Sequence, residues 1–156
     1  MDNQNITIKI LPAIREHITE LSKNYREIEI KTVKKMGMDH ETGILNAFDR
    51  SLFVKTAFID NKIVAMWGCI GTYLGEIGYP WLIMSSEAEK YPFRIASFYK
   101  KELKEMLQLF SVLVDMVDIE HTQAIRLLKI MGFTFKEAQP FGKNGELFIR
   151  AEKRAL

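Results

Sequence analysis

Apolar and polar residues alternate from position 5 to 10, with Ile6, Ile8 and Ile10 against Thr7 and Lys9, the two-residue period of a half-buried strand. Pro12 then suits the first position of a helix, and Ile14, Ile18 and Leu21 place one apolar stripe on a helix reaching about residue 23. A second helix is predicted over 25–35, with Tyr25, Ile28, Val33 and Met36 as its less polar positions, and a shorter third over 40–50. Strands follow over 52–60 and 62–73. The turn between them, Ile59-Asp60-Asn61-Lys62, holds residue types that tolerate left-handed backbone, so the pair reads as a tight hairpin. Its second strand is apolar at nearly every position from 64 to 70, which predicts cover on both faces and a central place in a sheet.

Gly71, Gly75 and Gly78 punctuate a loop that leads to a short apolar strand at 80–84 and a polar stretch at 85–90. Tyr91-Pro92 opens a long helix carrying Ile95, Tyr99, Leu103, Met106 and Phe110 at helical spacing. From residue 112 a buried strand, a turn with acidic residues, an amphipathic helix closed by Gly132 and a new strand from Phe133 succeed one another. A last strand is expected over 145–150. No repeat, low-complexity segment or linker interrupts this order, so residues 1–156 are expected to form one domain. Long antiparallel pairing followed by a helical crossover implies an α+β fold, a mixed and mostly antiparallel sheet flanked by helices.

Charge and cysteine content narrow the functional classes. Lys and Arg number 22 against 20 Asp and Glu, a net charge of +2, so a nucleic-acid partner is not expected, and the basic residues at 31–35 and 153–154 read as solvated faces. The single cysteine, Cys69, excludes an intramolecular disulfide and any zinc site built on several thiolates; inside an apolar run it reads as a buried, inert thiol. His17, His40 and His121 show no metal-ligand spacing, so no metal is expected. No apolar stretch approaches the roughly 20 residues that span a bilayer, and residues 1–5 lack the features of a signal peptide, which makes the cytoplasm the expected location.

The block from 112 to 133 resembles the closing block of the GNAT acyltransferases, in which a strand splays from its neighbour and the next helix flanks acyl-CoA. In that family the helix typically begins N-x-x-A-I and runs on to a tyrosine and then G-F. Here Ala124-Ile125 and Gly132-Phe133 match at the right spacing, while His121 stands at the asparagine position and Leu128 at the tyrosine position. The element order resembles the family over nearly the whole chain, its specific motifs falling within about residues 79 to 150. The strings Gly78-Tyr79-Pro80-Trp81-Leu82, Tyr91-Pro92, Val114-Asp115-Met116-Val117-Asp118 and Pro140-Phe141-Gly142 are similar to a phage-encoded GNAT-like branch, some of whose members are internal virion proteins of short-tailed phages.

The resemblance implies an N-acetyltransferase fold with acetyl-CoA as cofactor, an amine on a small molecule or protein as acceptor, and homodimeric or virion partners in the host cytoplasm. It also implies which residues meet the cofactor: Met84 and Ser85 by backbone N–H, Phe93, Arg94, Ile95, Ala96 and Ser97 at the pyrophosphate turn, and His121, Ala124 and Leu127 on the flanking helix. The family's R/Q-x-x-G-x-G/A turn lets backbone N–H groups approach the phosphates at a helix N-terminus. Residues 91–97 contain no glycine, Pro92 lacks an N–H, and only Ala96 fits the pattern, so weakened or shifted CoA binding is expected. Trp81, Tyr79, Tyr91 and Phe93 either stack on an adenine or pack the rim of the cleft.

Amine acyl transfer needs a base and an oxyanion donor. Glu87 and Asp115 are the candidate bases, with Asp118 a third whose competing role is to cap the next helix. Glu87 reads equally as a loop carboxylate in water and Asp115 as a solvent-facing strand residue, although a carboxylate in an apolar run often has a raised pKa. His121 has two readings, as a proton donor replacing the missing tyrosine or as a helix cap. The competing whole-molecule reading is a GNAT-shaped virion or host-interaction protein that no longer binds the cofactor.

Overall fold

The hairpin predicted at Asp60-Asn61 organises the sheet. In the computed structural model, which describes residues 6–72 and 74–155, both turn residues take left-handed backbone (φ 50° and 63°), joining β2 (Ser51–Ile59) to β3 (Lys62–Ile70). The expected ends of two strands, at Asn5 and Tyr73, lie outside the described residues. Seven strands follow the order β1-β2-β3-β4-β5-β7-β6, with β1 (Ile8–Pro12), β4 (Ile77–Met84), β5 (Val112–Asp118), β6 (Thr134–Pro140) and β7 (Leu147–Arg154). Every pairing is antiparallel except β4 with β5.

Helices α1 (Arg15–Ser22), α2 (Glu27–Lys35) and α3 (His40–Arg50) cover one face, and α4 (Pro92–Leu109) and α5 (Thr122–Ile130) the other. As its pattern predicts, β3 is buried on both sides. Trp67 packs on Phe98 in the cluster that holds Tyr99, Leu103 and Leu128, while Met66 packs with Ile18, Leu21 and Ile44. The Trp67 indole N–H donates to Glu102 at 2.9 Å, so this buried polar edge is satisfied. Gly132 (φ +89°) closes α5, and the Phe133 N–H reaches back to the Leu128 carbonyl at 3.0 Å.

Three local expectations are corrected. Pro12 ends β1 opposite Lys55 and does not open a helix. β1 is an edge strand, where a missing N–H costs no ladder bond, and the Ala13 N–H extends the pairing to the Val54 carbonyl. Ile14 is therefore the half-exposed N-cap of α1, outside the buried stripe of Ile18 and Leu21. Tyr25 lies before α2 and forms a bridge with Ser85, and the polar stretch at 85–90 becomes a short 3-10 turn, Ser86–Lys90.

β4 and β5 are paired only at Ile77 with Val112 and Gly78 with Leu113. Beyond that point they diverge, although β4 continues to Met84 and β5 to Asp118. The Val112 N–H bonds the Glu76 carbonyl, so the even-numbered residues of β4 turn their backbone toward β5. Pro80 is the first such residue past the paired segment. It has no N–H to offer, and there the ladder ends.

Candidate active site

The divergence leaves a gap whose β4 edge carries backbone groups of Leu82 and Met84 with no ladder partner. Ser85, the other expected N–H donor, faces β3: its N–H and hydroxyl both meet the Val64 carbonyl, at 3.0 and 3.4 Å. Of the two, only Met84 turns its N–H into the gap. A cavity of about 210 Å³ runs through the opening, walled by Val33, Met36, Ile44 and Trp81 and bordered by Glu29 and by residues 115–118 of β5. A second, of about 370 Å³, opens at the mouth beside Arg26, Glu89, His121 and Gln123.

Asp115 is a β5 residue opposite Ala151, and it lines the first cavity. Its carboxyl is buried on the face it shares with Ala151, under α4 and α5, while the residue as a whole is partly exposed. Burial pushes its pKa up to about 7, partly opposed by His121 and by a backbone hydrogen bond from Met116. No salt bridge to Asp115 occurs among the described residues. A carboxyl balanced between its two forms near neutral pH is suited to accept a proton from an ammonium.

Asp118, fully buried, has a different environment. It accepts from Lys35 Nζ at 3.0 Å, Thr32 Oγ1 at 3.3 Å and the Glu120 N–H at 3.0 Å. It secures the turn after β5 and anchors α2. The cap of α5 is His121, not Asp118: His121 Nδ1 accepts from the Ala124 N–H at 3.3 Å. The capping bond occupies the Nδ1 lone pair, so in the neutral ring the proton is on Nε2, which points at Glu29 Oε1 3.7 Å away. His121 thus caps the helix, as one of its two readings had it, and turns its other ring nitrogen to Glu29.

Sequence patterning missed the partners of His121. Arg26 bonds Glu29, and its other terminal nitrogen donates to Gln123 Oε1 at 2.6 Å. Arg26 and Glu29 are 6% exposed each, a buried pair joining the start of α2 to the start of α5. Their one signal was position: Glu29, Thr32, Val33 and Met36 fall on a single helical stripe in which two members are polar.

The other expected residues are not brought together at the gap. Glu87 pairs with Lys90 at 3.0 Å; that hydrogen bond pulls its pKa down, and it lines a separate pocket beside Lys62. Ala124 lines the gap cavity, whereas Leu127 packs against the core and Leu128 is buried in it. Trp81 donates to Ser51 Oγ at 2.8 Å and stands in the cavity wall, and Tyr79 is exposed. Cys69 is buried, which pushes its thiol up to about 12. Among the described residues no group of three His, Cys, Asp or Glu side chains could hold a metal ion, and no helix is long and apolar enough to cross a membrane.

The start of α4 bears on cofactor fit. Pro92 is its first residue, Tyr91 supplies no side-chain cap, and no acidic residue lies in the first turn, so the positive end of an 18-residue helix is not neutralised from within. Ile95 points into the core, Arg94 and Ala96 are partly buried, Ser97 is exposed, and Phe93, 75% exposed, extends into solvent. Of these side chains, only Phe93 stands well clear of the surface. An unneutralised helix end beside a gap with free backbone donors fits a CoA-type pyrophosphate and pantetheine, without the glycines that let phosphates approach most closely.

No protein-family model and no curated protein matches the sequence. Solved structures do match the fold. A GNAT-family acetyltransferase from Streptococcus pneumoniae superposes with a TM-score of 0.65 at 15% identity, covering 96% of this chain and 100% of that one. An N-acetyltransferase from Staphylococcus aureus Mu50 gives 0.70 at 10% identity, over 95% and 98% of the two chains. The spermidine N-acetyltransferase of Vibrio cholerae, solved in complex with CoA and spermine, gives 0.71 at 11% identity, over 94% and 95%. Seven strands in one sheet, splayed at a single parallel pair and flanked by helices, therefore constitute a GNAT acetyltransferase fold.

Proposed function

We propose that the protein is an acyl-CoA-dependent N-acyltransferase that moves an acetyl group to an amine by direct attack, both substrates meeting in the β4–β5 gap. One observation carries this reading: where β4 and β5 diverge, the ladder-free backbone edge of Leu82 and Met84 stands across the gap from the β5 segment that holds Asp115, titrating near 7. Acetyl-CoA would supply the activated acyl group, its pantetheine along the free edge of β4 and its pyrophosphate at the start of α4, with Arg94, Ala96 and Ser97 nearest. Asp115 takes the proton that the incoming ammonium must lose before its nitrogen can attack, a contribution of roughly 10² to 10⁴ in rate. The Met84 N–H points where negative charge gathers on the carbonyl oxygen. His121, fixed by its capping bond and by Glu29, offers the Nε2 proton to the departing sulfur, the task for which the family uses a tyrosine.

Isothermal titration with acetyl-CoA, followed by an amine-dependent thiol-release assay, tests this. Binding at micromolar to millimolar concentration with amine-dependent release is expected, and no binding at millimolar concentration ends the reading. A second reading rests on Leu128 and the glycine-free start of α4: a scaffold protein of phage or prophage origin, working in the host cytoplasm or packaged in the virion. CoA bound to protein purified from cells would count decisively against it.

A further inference from the structure

Asp115 shares its face of the sheet with Leu113, Val117 and, across the ladder, Ala151, under α4 and α5. When it ionises, its charge stands among apolar side chains with no cation paired to it among the described residues. Such a carboxylate needs a hydrogen-bond donor. Most donors near this face are already engaged. The Trp67 indole N–H goes to Glu102 at 2.9 Å, and Lys153, opposite Leu113, gives its ammonium to the Met131 carbonyl. His121 caps α5 with one ring nitrogen and turns the other to Glu29. Tyr99 of α4, 2% exposed, belongs to the same cluster. No hydrogen bond ties its hydroxyl to a described residue, yet that hydroxyl is not sealed as the one on Tyr25 is.

Burial pushes the Tyr99 hydroxyl well above its ordinary range, and the charges that push it further are Asp115 on β5, Cys69 on β3 and Glu102 on α4. Cys69 is paired with Pro80, the residue at which β4 leaves β5. The hydroxyl thus lies beneath the apex of the gap, within electrostatic reach of both strands.

We infer that Tyr99 is a positioning residue for the base, its hydroxyl donating to the Asp115 carboxylate once that group is ionised and holding the charge at the gap. The inference rests on the transferase reading for what the carboxylate then does, and not for the contact itself. Bonds of this kind are often long until substrates are in place. A phenol O–H given to a carboxylate favours the charged form, so Tyr99 opposes the burial that keeps Asp115 protonated. The titratable groups around the pair are His121 from α5, Glu102 on α4, Cys69 on β3 and Lys153 on β7. Of these, Glu102 is held by Lys55 and Trp67, and Lys153 by the Met131 carbonyl.

Tyr99→Phe removes the O–H and little else. Followed from pH 5 to 9.5, the rising limb of kcat/KM should move about one unit upward, so that acetylation falls about tenfold near pH 6.5 and recovers by pH 9. The KM for acetyl-CoA should not change. A merely structural role would lower the rate alike at every pH. 3-Fluorotyrosine at position 99, a stronger donor of nearly the same size, should move the limb downward, and it serves if the phenylalanine variant misfolds. Urea unfolding over the same range reads the contact without substrate. The decline in stability that levels off above pH 7 in the wild type should run about one unit further in Tyr99→Phe, because the folded carboxyl then keeps its proton to higher pH. In an Asp115→Asn background the difference should disappear. An unmoved decline, or an unmoved limb in an active enzyme, overturns the inference and leaves the transferase reading standing. A moved decline in a protein that binds no acetyl-CoA keeps the contact and ends that reading.

Discussion

At Asp115 the proposed chemistry and the stability of the fold pull against each other. Asp115→Asn keeps the shape and removes the ionisation. Amine acetylation should fall by about 10²-fold or more, and the rise in kcat/KM expected near pH 7 should vanish, as read from pH–rate profiles. Folded Asp115 titrates at about 7 against the ordinary 3.8, so between those values the folded chain holds the extra proton. Its contribution to stability is therefore whole below about pH 4 and is lost as pH rises through 7, by at most roughly 4 kcal/mol and by less given its partial solvent access. Urea titrations from pH 5 to 8 should show a decline in the wild type that Asn flattens. Lys35 gives the opposite case. Lys35→Met strands the buried Asp118 carboxylate and should cost about 3 kcal/mol or more, whereas Glu120→Gln, which alters only an exposed partner, should cost under about 1 kcal/mol. Similar losses in both would mean that Asp118 is not held by Lys35. Asp115 and His121 stand out as candidates in the sequence because a carboxylate in an apolar strand and a polar residue before a helix each have a local explanation. Arg26 and Glu29 do not, since hydropathy assigns charged residues to the surface and a buried ion pair shows itself only once α2 meets α5.

β4 does different work along its two edges, and proline substitution separates them. Met84 turns its N–H toward the gap, whereas Ile83 faces β3 opposite Met66. Met84→Pro should leave the unfolding free energy in urea within about 1 kcal/mol of wild type and reduce acetylation by about 10²-fold, the loss of one oxyanion donor. Ile83→Pro should instead destabilise by about 3 kcal/mol, because it deletes a ladder bond in the middle of the sheet. Equal thermal losses in the two variants would refute the orientation assigned to the free edge. Element order and type were readable: the Asp60-Asn61 turn, the doubly buried β3, and the Gly132 closure of α5 each follow from local rules. Pro12 misled because its fixed φ serves an edge strand as well as a helix start, and the choice depends on β2 lying alongside. The splay has a trace in Pro80, but a proline marks where a ladder can end and not that two strands diverge there.

Across the whole molecule the sheet consists of two halves, β1–β4 and β5–β7, joined by a two-residue parallel pairing. The α4–α5 core lies under the join on one face. On the other, polar ties from α2 and the residue before it cross to the second half: Arg26 reaches from Glu29 to Gln123, and Thr32 and Lys35 reach Asp118. A chain of such ties should couple the halves energetically. Arg26→Ala leaves Glu29 buried without its guanidinium and should cost about 3–5 kcal/mol, while Gln123→Ala should cost about 1 kcal/mol. Arg26 and Gln123 touch directly, so the double variant should fall short of the sum by about 1 kcal/mol or more in urea unfolding. Strict additivity would mean that the contact does not tie the halves and that α5 is held by its core face alone. If the coupling is present, hydrogen exchange at the start of α5 should quicken in Arg26→Ala while β3 stays protected, since the tie acts at the mouth and β3 lies in the core of the β1–β4 half. For the proposed transfer, which brings an acyl donor and an amine to one cleft, an opening mode of this kind would be needed, and the crossing at Arg26 is where the fold can provide it without breaking the sheet.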